Sequence, residues 1–236
     1  MKKFLLCFLM LSLFSCDTAK QILDGIQNNA FLSNTEVAAG LKEALTIGTQ
    51  NGTGLLSSTD GFFANAAVKI LMPEEAKKIE STLRNVGLGS LVDKAVLSMN
   101  RAAEEAAKSA TPIFTQAIKE MTIADALGIL KGGDFAATNY FKEKTTASLT
   151  NAFRPTIDNA LAKTSATKYW NDVFSAYNKF AAKPITTDLA KYVTEKSVEG
   201  IFYQVGLEEQ KIRQNPAARV TDLLKKVFGS SAAQRK

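Results

Sequence analysis

From Ser33 onward, apolar residues recur at every third or fourth position, the period of helices that turn one face to a core. Ser33-Asn34-Thr35-Glu36 has the capping-box spacing, in which the serine hydroxyl and the glutamate carboxylate each accept from a free backbone N–H. Val37, Leu41, Ala44, Leu45 and Gly48 follow at helical intervals. The longest clear segment runs from Leu88 to Ala110, with Leu88, Val92, Ala95, Met99, Ala102 and Ala106 along one seam. Its alanines let a neighbouring helix approach closely. A second long helix is predicted from Asp188 past Val205, with Leu189, Val193, Val198, Ile201, Phe202 and Val205 inward. A last one, Ala217 to Phe228, should bury Val220, Leu223, Leu224, Val227 and Phe228. Shorter helices are expected around 112–121, 123–131, 135–144, 146–163 and 166–181, one of them closed by Gly132-Gly133.

The five prolines, Pro73, Pro112, Pro155, Pro184 and Pro216, read as helix starts or interruptions. Thr111-Pro112 and Asn215-Pro216 each place a capping side chain before a first-turn proline, and Glu74-Glu75 after Pro73 suits a helix N-terminus. Residues 50–63, rich in Gly, Ser, Thr and Asn, read as irregular, and the following FFANAAVKILMP is ambiguous between a short helix and a strand. No alternating run is long enough for a confident strand, and no internal repeat is visible. The expected fold is all-α: a compact multi-helix bundle of about eight to ten helices with no substantial sheet.

The N-terminus follows a different pattern. Lys2 and Lys3 precede an apolar run from Phe4 to Phe14, the layout of a secretory leader. The run has 11 residues, and a bilayer-spanning helix needs about 20. Leu13-Phe14-Ser15-Cys16 resembles the lipobox of bacterial lipoproteins. That resemblance implies cleavage between Ser15 and Cys16 and a diacylglyceryl thioether on the Cys16 sulfur. One acyl chain anchors only marginally, with an association constant of about 10⁴ M⁻¹, so the two or three chains implied make the anchor durable. The predicted organisation is a leader over 1–15, a lipidated tether over 16–32, a helical domain over 33–229 and a disordered basic tail over 230–236. The location expected is the bacterial cell envelope, on the periplasmic side or associated with the outer membrane.

Charge and reactive residues narrow the chemistry. Loss of the leader's two lysines takes the formal charge from +6 to +4, with acids interleaved among the bases. No basic cluster with interleaved aromatics suggests nucleic-acid binding, so none is expected. The chain has no histidine, and its two cysteines are Cys7, inside the leader, and Cys16. Imidazole bases, Ser-His and Cys-His pairs and thiolate zinc sites therefore drop out. No cofactor and no metal are predicted. Gly87-Leu88-Gly89 lacks the third glycine and the lysine of a phosphate loop and reads as a helix stop and restart.

Three stretches carry a family resemblance: GFFANAAVKILMP from Gly61, MNRAAEEAAKSATPIFTQAIKEMTIADALGILKGGDFAATNYF from Met99, and YVTEKSVEGIFYQVGLEEQKIRQNPAARVTDLLKKVFG from Tyr192. In order and spacing they resemble the bacterial family catalogued as domain of unknown function 4197, over roughly residues 33–229. The resemblance implies a predominantly helical, exported, often lipid-anchored protein. It carries no functional residues across.

What chemistry remains rests on carboxylates and their partners. Asn100, Arg101, Glu104 and Glu105 form the densest polar group, a candidate ligand or divalent-cation face, although this spacing favours ordinary ion pairing on or between helices. Glu209 and Arg213 form a second candidate, with Arg213 expected to fix a helix junction through an internal salt bridge. Thr138, Asn139 and Tyr140 either line a pocket or cap and pack. Tyr169, Trp170, Phe174 and Tyr177 read as a core stripe. The function expected is a non-enzymatic module binding a partner protein or an apolar, envelope-derived ligand. The alternative, a carboxylate-dependent hydrolase of envelope material, requires two or more of Glu104, Glu120, Asp125 and Glu209 to meet in one pocket. A third class, an assembly factor, requires a broad exposed apolar patch.

Overall fold

The computed structural model describes residues 32–164, 166–168, 170–171, 188–230 and 233. The leader, the Ser15-Cys16 junction, the tether and nearly all of the tail lie outside the described residues, as do Tyr169, Phe174, Tyr177 and most of the 166–181 helix. Helices are α1 (Asn34–Ser57), α2 (Lys77–Asn85), α3 (Gly89–Ala107), α4 (Ala110–Glu120), α5 (Ile123–Lys131), α6 (Ala136–Lys163), α7 (Leu189–Gln214) and α8 (Asp222–Gly229). Two 3₁₀ turns, Glu74–Ala76 and Pro216–Ala218, precede α2 and α8. No strand occurs among the described residues, so the fold is all-α. None of the described helices is long and apolar enough to cross a membrane.

The most enclosed element is α7, which packs against α6, α1 and α3. Its predicted inward residues Leu189, Val193, Val198, Ile201, Phe202 and Val205 are all buried. Phe114 meets the edges of both Phe141 and Phe202, with ring centroids 5.2 and 6.1 Å apart, joining α4, α6 and α7 in one core. The Ser33–Glu36 capping box starts α1 as expected.

Several boundaries differ from the sequence reading. The Gly- and Thr-rich stretch after residue 50 continues α1 to Ser57 instead of forming a loop. Gly52 serves close packing, since a Cβ there would stand 3.4 Å from the Gln204 side chain of α7. Thr49 and Thr53 donate to the carbonyls of Leu45 and Thr49, four residues back, which satisfies their hydroxyl donors within the helix. The ambiguous FFANAAVKILMP stretch is neither helix nor strand but a run of turns and extended chain that buries Phe62, Val68, Ile70 and Met72.

The seam predicted from Leu88 to Ala110 breaks twice. Leu88 is exposed, Gly87 takes a left-handed φ of 83° between α2 and α3, and the chain turns again at Lys108-Ser109 before α4. Val92, Val96, Met99 and the alanines at 102, 103, 106 and 107 are the buried face. Thr111 does not cap α4; its hydroxyl shares a 2.7 Å hydrogen bond with that of Thr53. The two helices read at 135–144 and 146–163 are one, α6, with Pro155 inside it. Pro155 lies on the exposed side, where water can take the carbonyl that its missing N–H leaves free. The last helix starts at Asp222 under a Thr221 cap, and Val220 is exposed because it precedes that cap. Asn215 does cap the turn begun by Pro216, accepting from the Ala217 N–H.

Candidate functional site

Glu209 and Arg213 sit one turn apart on α7 with their side chains only 4% and 7% exposed. The Glu209 carboxylate accepts from the Ala137 and Thr138 backbone N–H groups at 2.9 and 2.8 Å and from the Thr138 hydroxyl at 2.8 Å. Arg213 donates to the same carboxylate through Nε and Nη2, and to the carbonyls of Ile129 and Leu130 at 2.8 and 3.2 Å. Those carbonyls end α5, and those amides begin α6, whose N-cap residue Phe135 supplies no side-chain cap. Helix ends leave such groups without intrahelical partners. The anion therefore meets the positive end of one helix dipole and the cation the negative end of another. The expected internal salt bridge at a helix junction is present, but the junction is the α5–α6 corner rather than the nearby Pro216.

The second cluster is built on the same plan. Glu104 accepts from the Phe62 and Phe63 amides at 3.1 Å each and pairs with Arg101 at 2.6 Å. Arg101 also pairs with Asp60 at 2.7 Å, where the backbone takes a left-handed φ of 68°. Asn100, fully buried, accepts from the Ile70 N–H at 2.9 Å and donates to the Ile70 and Val96 carbonyls at 2.8 Å. An amide side chain that pairs both polar groups of one residue imitates a strand neighbour. Together these residues fasten the non-helical 60–72 segment to α3. Glu105 stays outside the tie, pairing with Lys108 on the surface.

None of Glu104, Glu120, Asp125 and Glu209 lines the trough between α6 and α7. Glu120 accepts from Gln116, and Asp125 closes a capping box with Thr122; no two of the four share a hydrogen-bond partner. Among the described residues no group of three or more His, Cys, Asp or Glu side chains is placed to hold a metal ion. The capping carboxylates do titrate in a telling direction. Hydrogen bonds from the Thr122 backbone and hydroxyl hold Asp125 below its ordinary range, and those from Ser33 do the same for Glu36. A lowered folded-state pKa adds stability above the unfolded value, about 4, that fades as pH falls through the lower one. Carboxylate-resolved NMR titration should therefore show both midpoints below those of model peptides, with the α1 and α5 first-turn amides losing protection in the same window.

A concave feature of the described residues lies elsewhere. A trough of about 670 Å³ runs between α6 and α7. One end is apolar, with Phe135, Phe202, Tyr203 and Leu207; the other is polar, with Thr146, Thr150, Glu195 and Glu199. Phe135, Tyr203 and Leu207 are 44%, 47% and 39% exposed despite their size. Gly206 makes room for the Phe135 ring, since a Cβ there would stand 3.2 Å from it. Thr138 and Asn139 line the trough, whereas Tyr140 packs beside Phe141 with its hydroxyl pKa raised, chiefly by burial. Lys142 lines the trough between the two ends and pairs with no carboxylate among the described residues. Sequence reading missed Phe135, Lys142, Tyr203 and Leu207. The signal was there in Tyr203 and Leu207, large apolar residues four apart on α7 yet off its buried seam. Trp170 is buried as expected and stacks on Tyr192 of α7, with ring centroids 6.4 Å apart.

Fold and site together define a helical domain tied internally by the buried Glu209–Arg213 pair and by the buried Glu104 with its part-exposed Arg101, with an open trough between the two longest described helices. The chain belongs to the family described as protein of unknown function (DUF4197), whose family model matches residues 31–229. No curated protein and no solved structure matches it.

Proposed function

We propose that this chain is a lipid-anchored, non-enzymatic binding module of the bacterial envelope that holds a partner's apolar group in the α6–α7 trough. The observation that carries the reading is the exposure of Phe135, Tyr203 and Leu207 at one end of a concave surface. Large apolar side chains left open in a concavity, with polar groups beside them, are the usual signature of a binding site. The buried carboxylates, by contrast, already have their full complement of partners within the fold. The Lys2-Lys3 leader and the Leu13–Cys16 lipobox support the anchored location.

The test is recovery of the tethered protein from its native envelope, with mass spectrometry of bound proteins and extracted small molecules. A Tyr203→Asp variant serves as control, because that side chain is exposed and its loss should leave the fold intact. A species retained by the wild type and absent from Tyr203→Asp is expected. Finding neither a protein nor a small molecule that distinguishes the two contradicts the proposal.

A further inference from the structure

We propose that the corner between α2 and α3 is a membrane-contact tip that dips into the lipid surface once the anchor holds the domain nearby; this rests on the reading of Cys16 as lipidated. Among the described helices α2 is unusual in having no fully buried residue. Its packing is chiefly against α3 and the preceding 3₁₀ turn, with Ile79 and Leu83 half-buried on the inner side. The corner is closed by the left-handed Gly87 and by a 2.8 Å hydrogen bond from the Leu88 N–H to the Leu83 carbonyl. Val86, Leu88 and Leu91 lie on it, 64%, 42% and 47% exposed. The arginine nearest the corner is engaged locally: Arg84 pairs with both Glu80 and Asp93.

Area decides between a protein and a lipid occupant. Three side chains of this size offer a few hundred Å² at most, against the roughly 800 Å² per partner of a stable protein interface. A bilayer surface asks for no matching shape. Such a tip alone binds weakly, more weakly than a single acyl chain. The anchor changes that by raising the effective concentration to the millimolar range. Reach is no obstacle. The chain from Cys16 to Ser33 spans up to about 60 Å when extended, while a folded domain of this length is roughly 40 Å across.

The cysteine content makes the experiment clean. In the mature chain with Cys16→Ser, any introduced cysteine is unique, because Cys7 leaves with the leader. An N-terminal hexahistidine would replace the acyl anchor on phosphatidylcholine vesicles carrying a nickel-chelating lipid. An environment-sensitive nitrobenzoxadiazole dye goes on Leu88→Cys, or on Glu143→Cys as control. The proposal expects the dye at position 88 to shift blue and brighten at least about twofold on vesicles, with no change at 143. Adding Val86→Asp and Leu91→Asp should abolish the response. A silent dye at 88, or an equal response at 143, overturns the proposal. So does a response that needs anionic lipid, which would indicate electrostatic docking, or one that appears without vesicles as protein concentration rises, which would indicate self-association. Fatty-acid labelling at Cys16 tests the anchor separately, so the two failures are distinguishable.

Discussion

Glu209→Gln is expected to cost about 3–5 kcal/mol of folding stability, the range for removing one partner of a buried ion pair. The carboxylate takes two backbone amides of α6, one hydroxyl and the Arg213 guanidinium within 2.9 Å. A carboxamide has one acceptor oxygen, so its NH₂ would face a donor, and Arg213 would stay buried as an unpaired cation. Arg213→Met should be comparably damaging, since it strands the carboxylate and frees the α5 carbonyls. The double variant should lose clearly less than the sum, because each single change is costly for what it leaves behind. Urea unfolding with an unchanged m-value is the measurement, and additive losses would show that the two residues act separately.

The second large effect is local. Glu104→Ala leaves the Phe62 and Phe63 amides without their acceptor, and Asn100→Ala strips both polar groups of Ile70. Bonds to a buried charge contribute about 1.5–3 kcal/mol, so hydrogen exchange over residues 60–72 should quicken by roughly 100-fold. The α7 amides should keep their protection. Exchange that accelerates equally throughout would mean that Glu104 supports the whole core and not this segment.

The parts of the fold legible in the sequence are those set by local rules. The Ser33 box, the α7 seam and the bounds of α5 follow from period and capping, which act within a few residues. What went unread depends on long-range neighbours. Gly52 and Thr53 look like loop residues until α7 lies against the first and Thr111 of α4 meets the second. Pro155 looks like a break until its exposed side shows that the lost hydrogen bond falls in water. Glu104 reads as ion pairing on or between helices and Glu209–Arg213 as an internal salt bridge, but spacing along one helix cannot show backbone partners 42 or 71 residues away. The clearest missed hint was α6, which begins at Phe135 with no capping side chain of its own. A helix start without a local acceptor needs one from elsewhere in the chain.

If buried carboxylates hold the fold and the trough does the binding, side-by-side urea midpoints of four variants will separate the two roles. Glu209→Gln and Glu209→Ala should fall far below wild type, while Tyr203→Asp and Lys142→Glu should stay close to it, because residues kept for binding are seldom kept for stability. Glutamate variants that unfold like wild type, beside trough variants that collapse, would reverse the assignment.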